Sequence, residues 1–112
     1  MKNYLLAGRK RILLDKEGYL RNLDDWQTGI ATQLAANENI TLKPAHMEII
    51  HLLREFYHQH QHSPATRALV KLVARELGND KGKSIYLMKL FTGSPAKMAS
   101  KIAGLPKPDN CI

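Results

Sequence analysis

The chain holds one cysteine, Cys111, a single residue from its end. A thiol does nucleophilic and redox chemistry through its thiolate, so its surroundings and exposure decide what it can do. Lone cysteines are usually small buried hydrophobes. A position at the chain terminus, where exposure is the rule, points instead to a reactive thiol. One cysteine makes no intramolecular disulfide and excludes a cysteine-rich zinc site. The residues that lead to it, Leu105-Pro106-Lys107-Pro108-Asp109-Asn110-Cys111-Ile112, carry prolines at alternate positions. Each proline fixes its own φ and biases the preceding residue to extended backbone. At about 3.1 Å per residue, the path from Gly104 to Cys111 spans roughly 22 Å. The stretch reads either as a stiff, hinged arm that inserts its sulfur into a partner's active site, or as a frayed tail that happens to end in a thiol.

Thiolate chemistry needs a lowered pKa or a partner that supplies the base. The terminal carboxylate beside Cys111 opposes ionisation. Lys97, Lys101 and Lys107 offset it if the arm folds back over the last helix. Lys97 and Lys101 are four apart and share a helix face; they also read as ordinary solvated cations near a helix C-terminus. Arg67, Lys71 and Arg75 form a second row at i, i+4 and i+8. Like charges at that spacing repel, so the row points to a docking surface, unless acids such as Glu76 neutralise it. The net charge is +7, and it is unevenly placed. Residues 1–62 carry 8 Lys and Arg against 7 Asp and Glu, whereas residues 63–112 carry 9 against 3. The excess positive charge travels with the half that ends in Cys111, which suits a polyanion or an acidic partner.

Other patterns carry less. Gly78-Asn79-Asp80-Lys81-Gly82-Lys83-Ser84 is one residue short of a phosphate-binding loop between its glycines and follows a helix instead of a strand. His58, His60 and His62 alternate, which chelates a metal only in extended backbone; a polar helix end is the better reading, and no metal site is expected. Two short helices around Gly78–Lys83 have the outline of a DNA-binding helix-turn-helix, with Lys81, Lys83 and Lys89 towards phosphates, yet any two helices joined by glycine give that outline. No paired carboxylates or Ser-His-Asp set supports hydrolysis.

The elements that must position the thiol follow from local signals. With 112 residues, 44% of them hydrophobic, the chain fits one domain with one core. No apolar run approaches a membrane span, and the N-terminus is too short in apolar residues for a signal peptide, so a cytoplasmic protein is expected. Tyr4–Leu6 and Arg11–Leu14 around Gly8 predict a β-hairpin, with Tyr19-Leu20 as a further extended piece. Asp24 or Asp25 caps a predicted helix from Trp26 to Asn37, with Trp26, Ile30 and Leu34 on one face. Thr41–Pro44 announces a second helix with a stripe of Met47, Ile50, Leu53, Phe56 and Tyr57. Ser63-Pro64 repeats the cap-then-proline signal for a third, with Leu69, Leu72, Val73 and Leu77 buried and Gly78 closing it. Ser84–Phe91 is a short apolar helix with Ile85, Met88 and Leu90. Gly93-Ser94-Pro95 opens the last, with Met98 and Ile102 inward and Gly104 as its stop. The expected fold is mainly α: a small helical bundle with an N-terminal β-hairpin, comprising a body over residues 1–104 and a flexible C-terminal arm over residues 105–112.

The stretches Ser63-Pro64-Ala65-Thr66-Arg67-Ala68-Leu69-Val70-Lys71, Pro95-Ala96-Lys97 and Lys101-Ile102-Ala103-Gly104-Leu105-Pro106-Lys107-Pro108, with the ending Cys111-Ile112, resemble the DsrC/TusE family. Asp15-Lys16-Glu17-Gly18-Tyr19-Leu20 and the Trp26 region fit as well. The resemblance implies a small helical protein with a hairpin and a mobile arm. In the branch associated with dissimilatory sulfite reductase a second arm cysteine falls at position 100, where this chain has Ser100; that departure disfavours a gamma-subunit role beside a sulfite reductase. The single-cysteine branch implies a sulfurtransferase that takes sulfane sulfur as a Cys111 persulfide from an upstream TusBCD-like complex. It then passes the sulfur to an MnmA-like tRNA thiouridylase with bound tRNA, for 2-thiouridine at the wobble position, without cofactor. A DNA-binding regulator is the competing reading from the helix-turn-helix outline.

Overall fold

The computed structural model describes residues 3–108. Its first strands, β1 (Tyr4–Ala7) and β2 (Lys10–Leu13), pair antiparallel with Tyr4 opposite Leu13 and Ala7 opposite Lys10. A two-residue turn closes the hairpin, with Gly8 at φ +63°, the left-handed backbone such turns require. Leu14 bridges to Leu20, so the predicted extended piece at Tyr19-Leu20 joins the ribbon's end. The Asp15 carboxylate organises that return by accepting from the Glu17 and Tyr19 amides at 2.9 and 3.0 Å.

Five helices follow: α1 (Thr28–Asn37), α2 (Pro44–His60), α3 (Thr66–Leu77), α4 (Ser84–Phe91) and α5 (Pro95–Ile102). Prolines stand in the first turn of α2 and of α5, where the missing N–H costs nothing. The expected mainly α fold with an N-terminal hairpin is the one observed. Two starts differ from expectation. Asp24 and Asp25 do not cap α1; they sit in a separate 3₁₀ turn, Leu23–Asp25, which the Asn22 side chain caps by accepting from the Asp24 amide. Trp26 is extended, and α1 begins two residues later, because the indole is drawn away to a distant carbonyl described below. Ser63 is not the cap of α3, which Ala65 precedes; its hydroxyl is used elsewhere.

Although only eight residues long, α5 touches all four other helices. Its sequence explains this. Ala96, Ala99, Ser100 and Ala103 are fully buried and small, so neighbouring helices approach its axis closely on several sides, and Ile102 fills the remaining space. Met98, expected inward, is only half-buried. Around this axis the core collects Ile12 and Leu20 from the ribbon end, Ile30 and Leu34 from α1, Ile49, Ile50 and Leu53 from α2, Leu69 and Val73 from α3, and Leu87 and Phe91 from α4. His46 is buried with them: its Nδ1 accepts from the Lys43 amide at 3.0 Å, while Nε2 donates to the Leu90 carbonyl at 2.9 Å. Both ring nitrogens are satisfied by the neutral imidazole, which pins the start of α2 to the end of α4.

Candidate functional site: the root of the C-terminal arm

Cys111 lies outside the described residues, and the site is the structure that launches it. The C-terminus of α5 ends in a Schellman turn: the Gly104 amide donates to the Lys101 carbonyl at 3.1 Å and the Leu105 amide to the Ser100 carbonyl at 2.9 Å. Gly104 takes φ +73°, and a Cβ there would stand 2.4 Å from Trp26 Cδ1 and 2.9 Å from a Leu20 methyl. Both backbone and space therefore demand glycine. The carbonyls left over at the helix end go to two side chains. Trp26 Nε1 donates to Ile102 at 2.9 Å, and an Arg54 guanidinium N–H donates to Ala103 at 2.6 Å. The same guanidinium lies 4.0 Å over the Trp26 ring, which stands perpendicular to the His51 ring with centres 6.4 Å apart. A cation at the negative end of a helix, stacked on an indole, is favourable on both counts. Partial burial pulls the Arg54 pKa below its usual range, which still leaves it charged at neutral pH.

Beyond Gly104 the chain stays anchored as far as it is described. Leu105 is buried. The Ser63 hydroxyl donates to the Pro106 carbonyl at 2.6 Å, which ties the arm to the α2–α3 connection. Lys107 meets the Glu17 carboxylate at 3.0 Å, and Pro108 is buried. The chain is thus held to the body over residues 105–108.

The candidate cations separate into two groups. Lys101 and Lys107 are at the arm root. Lys101 is only 16% exposed, bonded to Glu38 at 3.3 Å and 5.2 Å from the Tyr19 ring centre. Its charge and that of Lys107 are each met by a carboxylate, so neither contributes a full positive field towards a thiolate. Glu17 and Glu38, which supply those carboxylates, also line a cavity of about 500 Å³ between the ribbon and the end of α1. Arg67 and Lys71 are exposed on α3, and Lys97 sits near the start of α5, at the end of that helix away from the arm. None of these three meets a carboxylate among the described residues. Arg75 is taken by Glu76 at 3.0 Å and Lys81 by Glu48 at 2.7 Å, which removes one lysine from the helix-turn-helix reading. That hydrogen bond with Glu48 raises the Lys81 pKa. His60 and His62 pack around the Phe56 ring, at 4.5 and 5.3 Å between ring centres.

Sequence reasoning missed Arg54, Ser63 and His46 as organisers. Arg54 had one signal, as the only Lys or Arg of α2, beside its apolar stripe; Ser63 had none, because its partner lies 43 residues away.

Ser100, at the position where the resemblance puts a second cysteine, is fully buried, and its hydroxyl has no hydrogen-bond partner among the described residues.

A short helical bundle whose last helix is both the packing hub and the base of an anchored C-terminal arm defines a class of small arm-bearing scaffold. The model of the DsrC like protein family matches residues 7–112, and the chain belongs to that family. It is similar to the protein named Sulfurtransferase TusE of Photorhabdus laumondii, 52% identical over 103 residues, which cover 92% of this chain and 93% of that one. Among solved structures it superposes on DsrC of Allochromatium vinosum with a TM-score of 0.90 at 45% identity over the whole of both chains. It also superposes on the oxidized gamma-subunit of the dissimilatory sulfite reductase (DsrC) from Archaeoglobus fulgidus, with a TM-score of 0.85 at 35% identity over 97% of this chain and 99% of that one.

Proposed function

We propose that the chain is a sulfurtransferase of the relay kind, in which Cys111 carries a persulfide for tRNA thiolation. The observation that carries this reading is the 52% identity over nine-tenths of the chain to a protein named Sulfurtransferase TusE, joined to a single cysteine placed one residue from the end. The Cys111 thiolate attacks the terminal sulfur of a donor persulfide. An S–S bond forms at Cys111 as the donor's S–S bond breaks, and the donor cysteine leaves as its thiolate. The acceptor then repeats the step on Cys111, so sulfur moves with no net oxidation and no metal. The donor in this reading is a TusBCD-like complex. The acceptor is an MnmA-like tRNA thiouridylase with bound tRNA, making wobble 2-thiouridine in the cytoplasm.

Ser100 supports the relay over a two-cysteine redox cycle, since no second thiol exists in the chain to close a disulfide on Cys111. The anchored root supports it physically. With the chain held to the body as far as Pro108, a partner that docks on the body meets the root of the arm in a fixed place.

Intact mass measurement after incubation with a cysteine desulfurase, cysteine and the upstream relay proteins tests the reading. Wild type gains one sulfur atom, about 32 Da, and Cys111→Ser gains none while melting at the wild-type temperature. A wild type that stays unmodified beside a working positive control removes the relay reading.

A further inference from the structure

We infer that the face formed by α3, α4 and the start of α5 docks a protein that presents an apolar side chain ringed by carboxylates. The outward stripe of α4 carries Ile85 and Met88, 63% and 44% exposed, and Lys89. Leu87 and Phe91, on the opposite stripe, already fill the core. Met88 forms one wall of a groove of about 130 Å³, with Thr66 from α3 and Ser94, Pro95 and Lys97 from the start of α5. Arg67 follows Thr66 directly, and Lys71 stands one turn further along the same face of α3.

Charge decides what fits. The cations of the C-terminal half divide by partner: Lys81, Lys101 and Lys107 reach back to Glu48, Glu38 and Glu17 of the N-terminal half, and Arg75 takes Glu76. Arg67, Lys71, Lys83, Lys89 and Lys97 meet no carboxylate among the described residues, and α4 and α5 contain no acidic residue at all. The complement of this surface is therefore acidic at its rim. Its centre is apolar and concave, which suits a buried side chain of a protein. A phosphate backbone would leave Ile85 and Met88 against charge. A flexible, polarisable methionine beside a small groove is the kind of contact that accommodates a partner's side chain.

The face also stands where a relay partner is needed. Ser63, which holds Pro106 of the arm, is three residues before Thr66 of the groove. A protein seated on the groove is thus close to the root from which Cys111 extends. The inference rests on the relay reading in this respect, and in the choice of probes.

Amide NMR of the labelled full chain is the test, with the upstream sulfur-donor complex, the tRNA thiouridylase and tRNA alone as separate titrants. One of the two proteins is expected to shift Thr66, Arg67, Met88, Ser94 and Lys97. Met88→Asp and the pair Arg67→Glu with Lys71→Glu each weaken that binding about tenfold or more, the size expected of interface hot spots. Added salt weakens wild-type binding, because the rim is ionic. Leu13→Asp, an equally exposed apolar site on β2, changes it less than about twofold. The inference is overturned if neither protein moves these amides, or if the variants bind like wild type. It is also overturned if tRNA alone reproduces the shifts, or if they appear on concentrating the chain by itself, which would make the face an RNA surface or a self-association surface. Sulfur gain at Cys111 separates the two levels. No gain with the relay proteins removes the functional reading, whereas wild-type sulfur uptake by Met88→Asp from donor and passage to acceptor removes the docking face alone.

Discussion

The C-terminal end of α5 has its carbonyls capped by Trp26 and Arg54, its glycine wedged against the indole, and the chain beyond it fastened to Ser63 and Glu17. The N-terminal end of the same helix, about 12 Å away for eight residues, borders a groove where Met88 stays exposed and Lys97 has no carboxylate partner among the described residues. One end uses its polar and aromatic groups inside the molecule and so fixes the direction of the arm. The other leaves apolar surface and charge unmatched, at a standing cost in hydration, which is what a surface reserved for another molecule looks like. Both ends belong to one short, buried helix, so the groove at one end and the anchored residues 105–108 at the other share one rigid support.

If the arm end is the structural one, breaking it costs stability first. Gly104→Ala must find room for a methyl group against Trp26 in left-handed backbone, and is expected to lose about 3 kcal/mol, read from the urea midpoint. Arg54→Ala uncovers the Ala103 carbonyl and the Trp26 face, with an expected loss of about 2 kcal/mol. A chemical melt of Arg54→Ala that overlays wild type would show the clasp to be incidental. Ser100→Ala deletes a buried hydroxyl without a hydrogen-bond partner among the described residues and is expected to gain up to about 1 kcal/mol, seen as a higher melting temperature. A lower melting temperature would mean that the hydroxyl is satisfied within the fold. At the open end Met88→Asp changes the unfolding free energy by no more than about 0.5 kcal/mol. A larger loss would make Met88 part of the core and erase the contrast between the two ends.

Much of this molecule was legible from its residues. The bounds of α4, Ser84 and Phe91, came from its apolar run, and the starts of α2 and α5 from Pro44 and Pro95, because a proline acts within one turn. Gly104 was readable as a stop for the same reason. Trp26 was legible as important but was placed on the wrong element. Helical spacing to Ile30 and Leu34 is a local signal, and the bond that holds the indole spans 76 residues. Ser63 likewise looked like a cap, and its neighbours in sequence hold nothing that would reveal Pro106 as its partner. On α5 Ile102 was legible as inward and Met98 packs partly buried on the core, but the buried alanines were not read, because they carry little hydrophobic signal, although their small size is what makes the helix the hub.

By itself the sequence determined the mainly helical class, the hairpin, the charge imbalance between the halves and the single thiol near the end of a proline-bearing stretch. These follow from composition, turn chemistry and covalent order, which need no knowledge of distant contacts. The tertiary structure decided which apolar residues of α4 remain outside. In Ser84–Phe91, apolar residues occupy both stripes, so periodicity gives no preference between Ile85 with Met88 and Leu87 with Phe91. It also decided which cations are neutralised, since Glu17, Glu38 and Glu48 reach lysines 90, 63 and 33 residues away. Pairing of charges and choice of buried face are properties of elements brought together, and only the packed chain brings them together.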